Sequence, residues 1–92
     1  MAKYFDWDKT KNEWLKKHRS VCFEDIVPIV EGKDQIATVP HPNQKHYPKQ
    51  RVYVISLKDY VYLVPFVEDD EKIFLKTIYP SRKASKLYKK KP

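Results

Sequence analysis

The 92-residue sequence contains a single glycine, Gly32, and a single cysteine, Cys22. One glycine cannot supply the glycine-rich loop that cradles nucleotide phosphates, which argues against an enzyme that uses nucleoside triphosphates. One cysteine cannot form a disulfide within the chain. No apolar run approaches the roughly 18 residues of a membrane span, and no segment has the pattern of a signal peptide. We therefore expect one small cytoplasmic domain covering residues 1–92.

Acidic residues are missing from two parts of the chain. Residues 73–92 contain seven Lys or Arg and no Asp or Glu, whereas the rest of the chain holds 12 basic and 12 acidic side chains. The last segment therefore carries the whole net charge of +7. A second acid-free segment, residues 35–58, adds Lys45, Lys49, Arg51 and two histidines. This asymmetry favours a polyanion or an acidic partner, although residues 89–92 alone are typical of a disordered, solvated tail.

A metal site is disfavoured by the spacing of the available ligands. His41 and His46 stand five residues apart in a proline-rich loop without a nearby carboxylate, and Cys22 is remote in sequence. Zinc sites in proteins need three or four such ligands in a compact pattern. We expect no metal and no cofactor.

Three segments rich in β-branched and aromatic residues predict an antiparallel meander over residues 51–79. The predicted strands are Arg51–Leu57, Tyr60–Val64 and Lys72–Tyr79. Lys58-Asp59 has the length of a two-residue hairpin link. Pro65 cannot donate a ladder hydrogen bond, so we expect a bulge or a bend there.

Two helices are predicted before the meander, after a short edge strand at residues 4–7. Asp8 is suited to cap a helix through residue 18, on which Trp14 and Leu15 are expected to touch the sheet. Residues 23–30 repeat the apolar helical spacing, with Pro28 expected to kink or stop the second helix and Gly32 to take the left-handed position after it. Ser81 is placed to cap a short, basic C-terminal helix through Tyr88. The fold class is α+β, with two N-terminal helices packed on an antiparallel sheet.

Two motifs resemble the BrnT family of bacterial toxins. The first is Asp6-Trp7-Asp8, followed by Lys11-Asn12-Glu13-Trp14-Leu15-Lys16-Lys17 and Val21-Cys22-Phe23-Glu24-Asp25-Ile26. The second is Phe74-Leu75-Lys76-Thr77-Ile78-Tyr79-Pro80-Ser81-Arg82-Lys83-Ala84. Together they span nearly the whole chain in the family's order. The resemblance implies a RelE-like fold and a ribonuclease toxin that a small DNA-binding antitoxin holds inactive in a hetero-oligomer.

Cleavage of RNA without metal needs a base, an acid and one or two cations that stabilise the pentavalent phosphate. Arg82 is our first candidate for the phosphate clamp, because a guanidinium offers paired donors and stays charged. Arg51 and Lys76 are further cationic candidates, and strand alternation places Lys76 on one face with Phe74 and Ile78. His46 and Tyr79 are candidates for the acid or the base. The candidates for RNA binding are Lys45, Lys49, Lys83, Lys86 and Tyr88.

Two alternatives to the ribonuclease remain open at this point. A non-catalytic nucleic-acid-binding module needs only the basic surface, and it would bind RNA without cutting it. A protein-interaction domain would use the same charge for its protein partner alone, and it would have no affinity for RNA even at low salt.

Overall fold

The computed structural model describes residues 3–88. Three helices and six strands follow one another along this part of the chain, in the order β1, α1, α2, β2, β3, β4, β5, β6, α3. The strands are β1 Tyr4–Trp7, β2 Ala37–Pro40, β3 Arg51–Leu57, β4 Tyr60–Glu68, β5 Lys72–Leu75 and β6 Tyr79–Pro80. The helices are α1 Lys9–Arg19, α2 Phe23–Glu31 and α3 Arg82–Tyr88. The α+β class and the short C-terminal helix are confirmed, whereas the expected tail at 89–92 lies outside the described residues.

The strands form one sheet in the spatial order β1-β5-β4-β3-β2, with β6 pairing to β4 beyond the end of β5. The meander of β3, β4 and β5 is antiparallel, as predicted. The expectation of a wholly antiparallel sheet was wrong, because β1 lies parallel to β5. Helices α1 and α2 and most of the chain separate these two strands in sequence, so nothing in the local pattern of either strand specifies their relative direction.

The predicted third strand, Lys72–Tyr79, is divided by a bulge. Phe66 pairs with Leu75 and Leu63 pairs with Tyr79, so two residues of β4 face three residues of the opposite chain. The Lys76 amide donates to the Pro65 carbonyl oxygen at 2.8 Å. The N–H and the C=O of one strand residue point to the same side. An N–H at position 65 would therefore point towards the bulge, where the ladder is interrupted, so proline is tolerated there. An irregularity is therefore found beside Pro65, but the extra residue lies in the opposite chain, and Pro65 itself stays paired with Val52 of β3.

The bulge also shifts the alternation of side chains by one position. Leu75 and Ile78 both lie in the main core with 0% exposure, although strict alternation would place them on opposite faces. Lys76 does not share the face of Ile78 and is exposed, with its Nζ 5.3 Å from the centre of the Phe74 ring. The expectation that Lys76 and Ile78 project from one face was therefore wrong.

Helices α1 and α2 cover one face of the sheet. Leu15 on α1 is fully buried, as are Phe23 and Ile26 on α2, and all three belong to the cluster that includes Ile55 and Val64. Both helices thus contribute side chains to the core on this side of the sheet. Trp14, by contrast, remains 40% exposed among cationic side chains, so its predicted contact with the sheet was wrong.

Asn12 joins the two helices and is buried to 4% exposure. Its Oδ1 accepts from the Phe23 amide at 2.8 Å, and its Nδ2 donates to Glu24 Oε1 at 2.8 Å. This side chain from α1 therefore satisfies one of the free amides at the start of α2. The start of α1 is capped as predicted, since Asp8 accepts from the amides of Thr10 and Lys11.

Helix α2 continues through Pro28 to Glu31. The amides of Lys33 and Asp34 donate to the carbonyls of Val30 and Ile29 at 3.0 and 2.8 Å, the paired bonds of a Schellman motif. Lys33 takes the left-handed conformation, with φ of 59°, whereas Gly32 has φ of −81°. The left-handed position was therefore predicted one residue too early.

Helix α3 lies on the opposite face of the sheet. Ala84 is 8% exposed and packs with Val54 and Val61, and Ala37, Val39 and Leu63 complete this smaller cluster. Side-chain alternation along β3 explains why the buried residues form two clusters. Tyr53 and Ile55 face α1 and α2, while Val52 and Val54 face α3. In residues 3–88 no helix is long and apolar enough to cross a membrane.

Candidate functional site

A groove of about 350 Å³ lies between α3 and the outer face of β2, β3 and β4. Its floor is formed by apolar side chains of the three strands, and its walls by α3 on one side and the start of the 41–50 loop on the other. The lining residues are Val39, Pro40, Pro42, Val52, Val54, Leu63, Ser81, Lys83, Ala84, Leu87 and Tyr88.

The groove is made almost entirely from the two acid-free segments of the sequence. Leu63 is the only lining residue outside them, since the others fall within residues 35–58 or 73–92. Two segments that are distant along the chain therefore meet at one surface, and none of its lining residues is acidic. Lys83 places a cation on the wall formed by α3.

Backbone and side-chain hydrogen bonds fix α3 over the sheet. The Ser81 amide donates to the Val61 carbonyl at 3.0 Å, and the Val61 amide donates to Ser85 Oγ at 2.9 Å. Ser81 Oγ accepts from the Ala84 amide at 3.0 Å, which confirms Ser81 as the cap of this helix. Both polar backbone groups of Val61 are thus used by the α3 segment, so the wall of the groove is held in place.

Two of the predicted RNA-binding residues, Lys83 and Tyr88, line the groove, and two other candidates extend from the same helix. Tyr88 packs against the apolar cluster under α3. Arg82 and Lys86 are exposed on α3. Leu87 is the most exposed large apolar side chain in residues 3–88, at 66%. The sequence alone gave no reason to single it out.

Arg51 pairs with the lining residue Pro40, but its side chain lies on the other face of the sheet, over Phe66 of the main core. Its guanidinium forms an ion pair with Glu68 and lies 5.2 Å from the centre of the Phe66 ring. Glu68 also accepts from Lys3 Nζ at 2.6 Å, and these cations lower the pKa of the Glu68 carboxyl. Arg51 is thus occupied by a carboxylate of its own chain.

The predicted cationic residues do not converge on one point. Arg51 pairs with Phe66, whereas Arg82 follows Ser81, which is bonded to Val61. Five residues of β4 separate these two contacts, about 17 Å at ~3.3 Å per residue. Lys76 and Tyr79 lie on a third region, beside the bulge, where Lys76 is exposed and Tyr79 half-buried.

The remaining candidates, Lys45, His46 and Lys49, are all exposed in the 41–50 loop. Sequence reasoning gave no role to His41, which is the imidazole nearest to the groove along the chain, between the lining residues Pro40 and Pro42. His41 itself is not among the lining residues. Among the described residues, no group of three or more His, Cys, Asp or Glu side chains is arranged to hold a metal ion.

Comparison of the chain with protein-family models, with curated proteins and with solved structures gives no significant match. The groove and its charge distribution are therefore the main basis for a functional proposal, beside the two motifs quoted above.

Proposed function

We propose that this protein is an endoribonuclease that binds single-stranded RNA in the groove under α3 and cleaves it without a metal. The observation that carries the proposal is the convergence of both acid-free segments at this groove. The ring of Tyr88 beside the apolar floor offers a stacking contact to an unpaired base, and the cations of α3 attract the phosphates. Both features occur here on one surface.

The reaction proceeds by attack of a ribose 2′-oxygen on the adjacent phosphorus. The bond from phosphorus to the 5′-oxygen breaks, and the products are a 2′,3′-cyclic phosphate and a free 5′-hydroxyl. The proton leaves the 2′-hydroxyl and a proton joins the 5′-oxygen, so the step needs no oxidant or external nucleophile. Cations beside the phosphate stabilise the charge that develops on its oxygens.

Lys83 and Arg82 are the cations that we assign to the phosphate. Lys83 lines the groove, and Arg82 is its neighbour in the first turn of α3. Arg51 is not placed at this phosphate, because its guanidinium is paired with Glu68 and lies over Phe66, on the face of the sheet that α1 and α2 cover. Lys45, Lys49 and Lys86 are placed to contact RNA outside the groove, since all three are exposed in the loop or on α3.

We propose further that the activity is that of a toxin of the BrnT kind, with a RelE-like fold and a partner antitoxin. The support consists of the two motifs, at Asp6–Ile26 and Phe74–Ala84, and of the helical layer that α1 and α2 form on one face. The parallel pairing of β1 with β5 departs from the expected sheet. The partner would inhibit the enzyme by covering the groove with acidic or aromatic side chains.

A second candidate, an RNA-binding module without catalysis, is favoured by one specific observation. The three cationic candidates for catalysis, Arg51, Lys76 and Arg82, lie in three separate regions. Binding in the groove requires only Lys83, its basic neighbours and the apolar floor.

Cleavage of a labelled single-stranded RNA in EDTA tests the proposal. The protein is compared with Arg82→Ala, Lys83→Ala and the control Lys17→Ala, which removes one exposed cation from α1 on the other side of the sheet. We expect the parent and the control to cut RNA, and each α3 variant to lose at least about tenfold in kcat/KM. Thermal unfolding of each variant is measured in parallel.

The outcomes separate the candidates. Binding that weakens with added salt, without cleavage in EDTA or with ribosomes, contradicts the enzyme and favours the binding module. Absence of RNA binding at low salt contradicts both and leaves the protein-interaction domain. Equal losses in Lys17→Ala and Lys83→Ala contradict the assignment to the groove.

A further inference from the structure

Strand β5 turns an aromatic and basic surface away from the main core. Ile73 and Leu75 pack in that core, so alternation puts Lys72 and Phe74 on the opposite face of the sheet. Lys76 joins them there, because its Nζ lies 5.3 Å from the centre of the Phe74 ring. The Nζ of Lys72 lies 5.9 Å from the same centre, so two cations flank Phe74 along the strand. We call Lys72, Phe74 and Lys76 the β5 platform.

The face of the sheet that carries the β5 platform is also the face that forms the groove. Val52, a lining residue of the groove, pairs with Pro65, and the Lys76 amide donates to the Pro65 carbonyl at 2.8 Å. Neighbouring strands are about 4.8 Å apart, so the backbones of Lys76 and Val52 are roughly 10 Å apart across β4. The β5 platform thus continues the surface of the groove sideways across the sheet.

Helix α3 is fixed at the other end of β4. Its segment bonds to Val61 near the start of that strand, whereas Phe74 pairs with Val67 near its end. Lys76 is exposed and Phe74 half-buried, and Tyr4 on the neighbouring strand β1 is 56% exposed. The β5 platform is therefore accessible to a ligand that extends from the groove.

The two lysines of the β5 platform differ in their ion pairs. Lys72 Nζ lies 3.5 Å from Asp6 Oδ2, so a carboxylate offsets its charge. Lys76 forms no ion pair within residues 3–88. A phosphate is therefore expected beside Lys76 rather than beside Lys72, where the like charge of Asp6 would repel it.

We propose that single-stranded RNA bound in the groove continues across β4 to the β5 platform, where one base stacks on Phe74 and a phosphate binds Lys76. This inference rests on the proposed function, and it gives Lys76 a role in binding rather than in catalysis. Stacking of a base on an aromatic ring is stronger than the contact of an exposed ammonium with that ring. The base therefore displaces the ammonium from the ring, and the ammonium turns to the phosphate.

The affinity for a labelled, unstructured RNA of about ten nucleotides, measured by fluorescence anisotropy, tests the proposal. Phe74→Leu keeps an apolar side chain without a ring, Phe74→Tyr keeps the ring, and Lys76→Ala removes the cation. Trp14→Ala is the matched control. Trp14 is 40% exposed on α1, and its ring centre lies 4.8 Å from Lys11 Nζ and 4.9 Å from Arg19 Cζ. It offers the same chemistry on the helix layer across the sheet.

We expect Phe74→Leu to bind RNA about fivefold more weakly or worse, and Phe74→Tyr to bind within about twofold of the parent. The salt dependence of Phe74→Leu should equal that of the parent, because no phosphate contact is lost. Lys76→Ala should lower the slope of log affinity against log salt by about 0.7, the value for one phosphate contact with a single strand. Trp14→Ala should bind like the parent.

The results distinguish failure of the inference from failure of the proposed function. If the parent binds RNA, and Phe74→Leu and Lys76→Ala match its affinity and salt slope, the β5 platform is overturned while the groove stands. Equal losses in Phe74→Leu and Trp14→Ala, or in Phe74→Leu and Phe74→Tyr, also overturn it. If Phe74→Leu does not fold, the salt slope of Lys76→Ala decides alone.

The β5 platform is judged by binding, so the result does not depend on whether the RNA is cut. If the parent binds RNA without cutting it, the ribonuclease fails and the variants still decide the β5 platform. If the parent does not bind RNA at low salt, the proposed function fails, and this inference fails with it.

Discussion

The carbonyl oxygen of Pro65 accepts a hydrogen bond from the amide of Lys76 at 2.8 Å. This contact marks the place where the strand opposite β4 gains one residue and the alternation of its side chains shifts. As a result Leu75 and Ile78 both reach the core, and Lys76 remains at the surface. One local irregularity thus moves a candidate site residue away from its predicted position.

Substitutions on the two sides of the bulge test this shift. Ile78→Ala removes a side chain with 0% exposure and is expected to lower the free energy of unfolding by about 2–5 kcal/mol. Lys76→Ala changes an exposed side chain and is expected to alter it by less than about 0.5 kcal/mol. Urea unfolding monitored by circular dichroism measures both. Similar losses in the two variants would contradict the shift in alternation.

Most of the secondary structure follows from local signals in the sequence. Asp8 and Ser81 cap their helices as predicted, and Lys58-Asp59 forms the predicted hairpin link with φ of 54° and 63°. Pro65 marks the bulge because a missing N–H has a local consequence. The parallel pairing of β1 with β5 was not predictable in this way, because it depends on the packing of the helices between them.

The candidate site could be predicted only in part. The charge pattern singled out the two segments that form the groove, and two of the predicted RNA-binding residues, Lys83 and Tyr88, line it. Their contact with RNA stays a prediction. Whether Arg51 lies near Arg82 could not be read from the sequence, because it depends on which strand ends are adjacent.

Asn12 is expected to be essential for the junction of α1 and α2. Asn12→Ala leaves the Phe23 amide without its acceptor in a fully buried position, which should cost about 2–3 kcal/mol of unfolding free energy. Thr10→Ala, an exposed position on the same helix, is the control and should change it by less than about 0.5 kcal/mol. Chemical denaturation of both variants measures the difference. An equal effect in the two variants would rule out the bridging role of Asn12.

Glu68 gives the stability a dependence on acidic pH. The hydrogen bond from Lys3 and the charge of Arg51 lower its pKa below the ordinary 4.5. The Glu68 carboxyl therefore binds a proton more readily in the unfolded chain than in the folded protein. The stabilisation is complete above pH 4.5 and is lost as the pH falls through the lower pKa that Glu68 has in the folded protein. Because the pair is solvent-exposed, the loss is about 1 kcal/mol or less.

The variant Glu68→Gln removes the titrating group. Its unfolding free energy should vary less with pH below 4.5 than that of the parent. Denaturant titrations at several pH values between 3 and 6 measure the two slopes. Parallel slopes would contradict the contribution of Glu68.

Tyr53 makes the folding stability decrease as the pH rises in the alkaline range, whereas Glu68 makes it decrease as the pH falls in the acidic range. It is 5% exposed and stacks on Phe66 with ring centres 4.0 Å apart, and burial followed by the charge of Glu68 raises its pKa from 10.0 to about 12. Ionisation is easier in the unfolded chain, so this stabilisation is complete below pH 10 and is lost as the pH rises towards 12.

Tyr53→Phe removes the ionisable hydroxyl and keeps the ring. Titration of tyrosinate absorbance should lose its most alkaline component, and the stability of the variant should fall less between pH 10 and 12 than that of the parent. Loss of a component near pH 10 instead would show that Tyr53 ionises like an exposed tyrosine.

The most direct test of the account is to locate the RNA-binding surface by nuclear magnetic resonance. The ¹⁵N-labelled protein is titrated with a short single-stranded RNA at low salt, and the backbone amides that shift are recorded. We predict that the shifts cluster in β2, β3, the start of the 41–50 loop and α3, around Lys83. A cluster on the outer surface of α1 and α2, or no shifts at all, would contradict the proposal that the groove binds RNA.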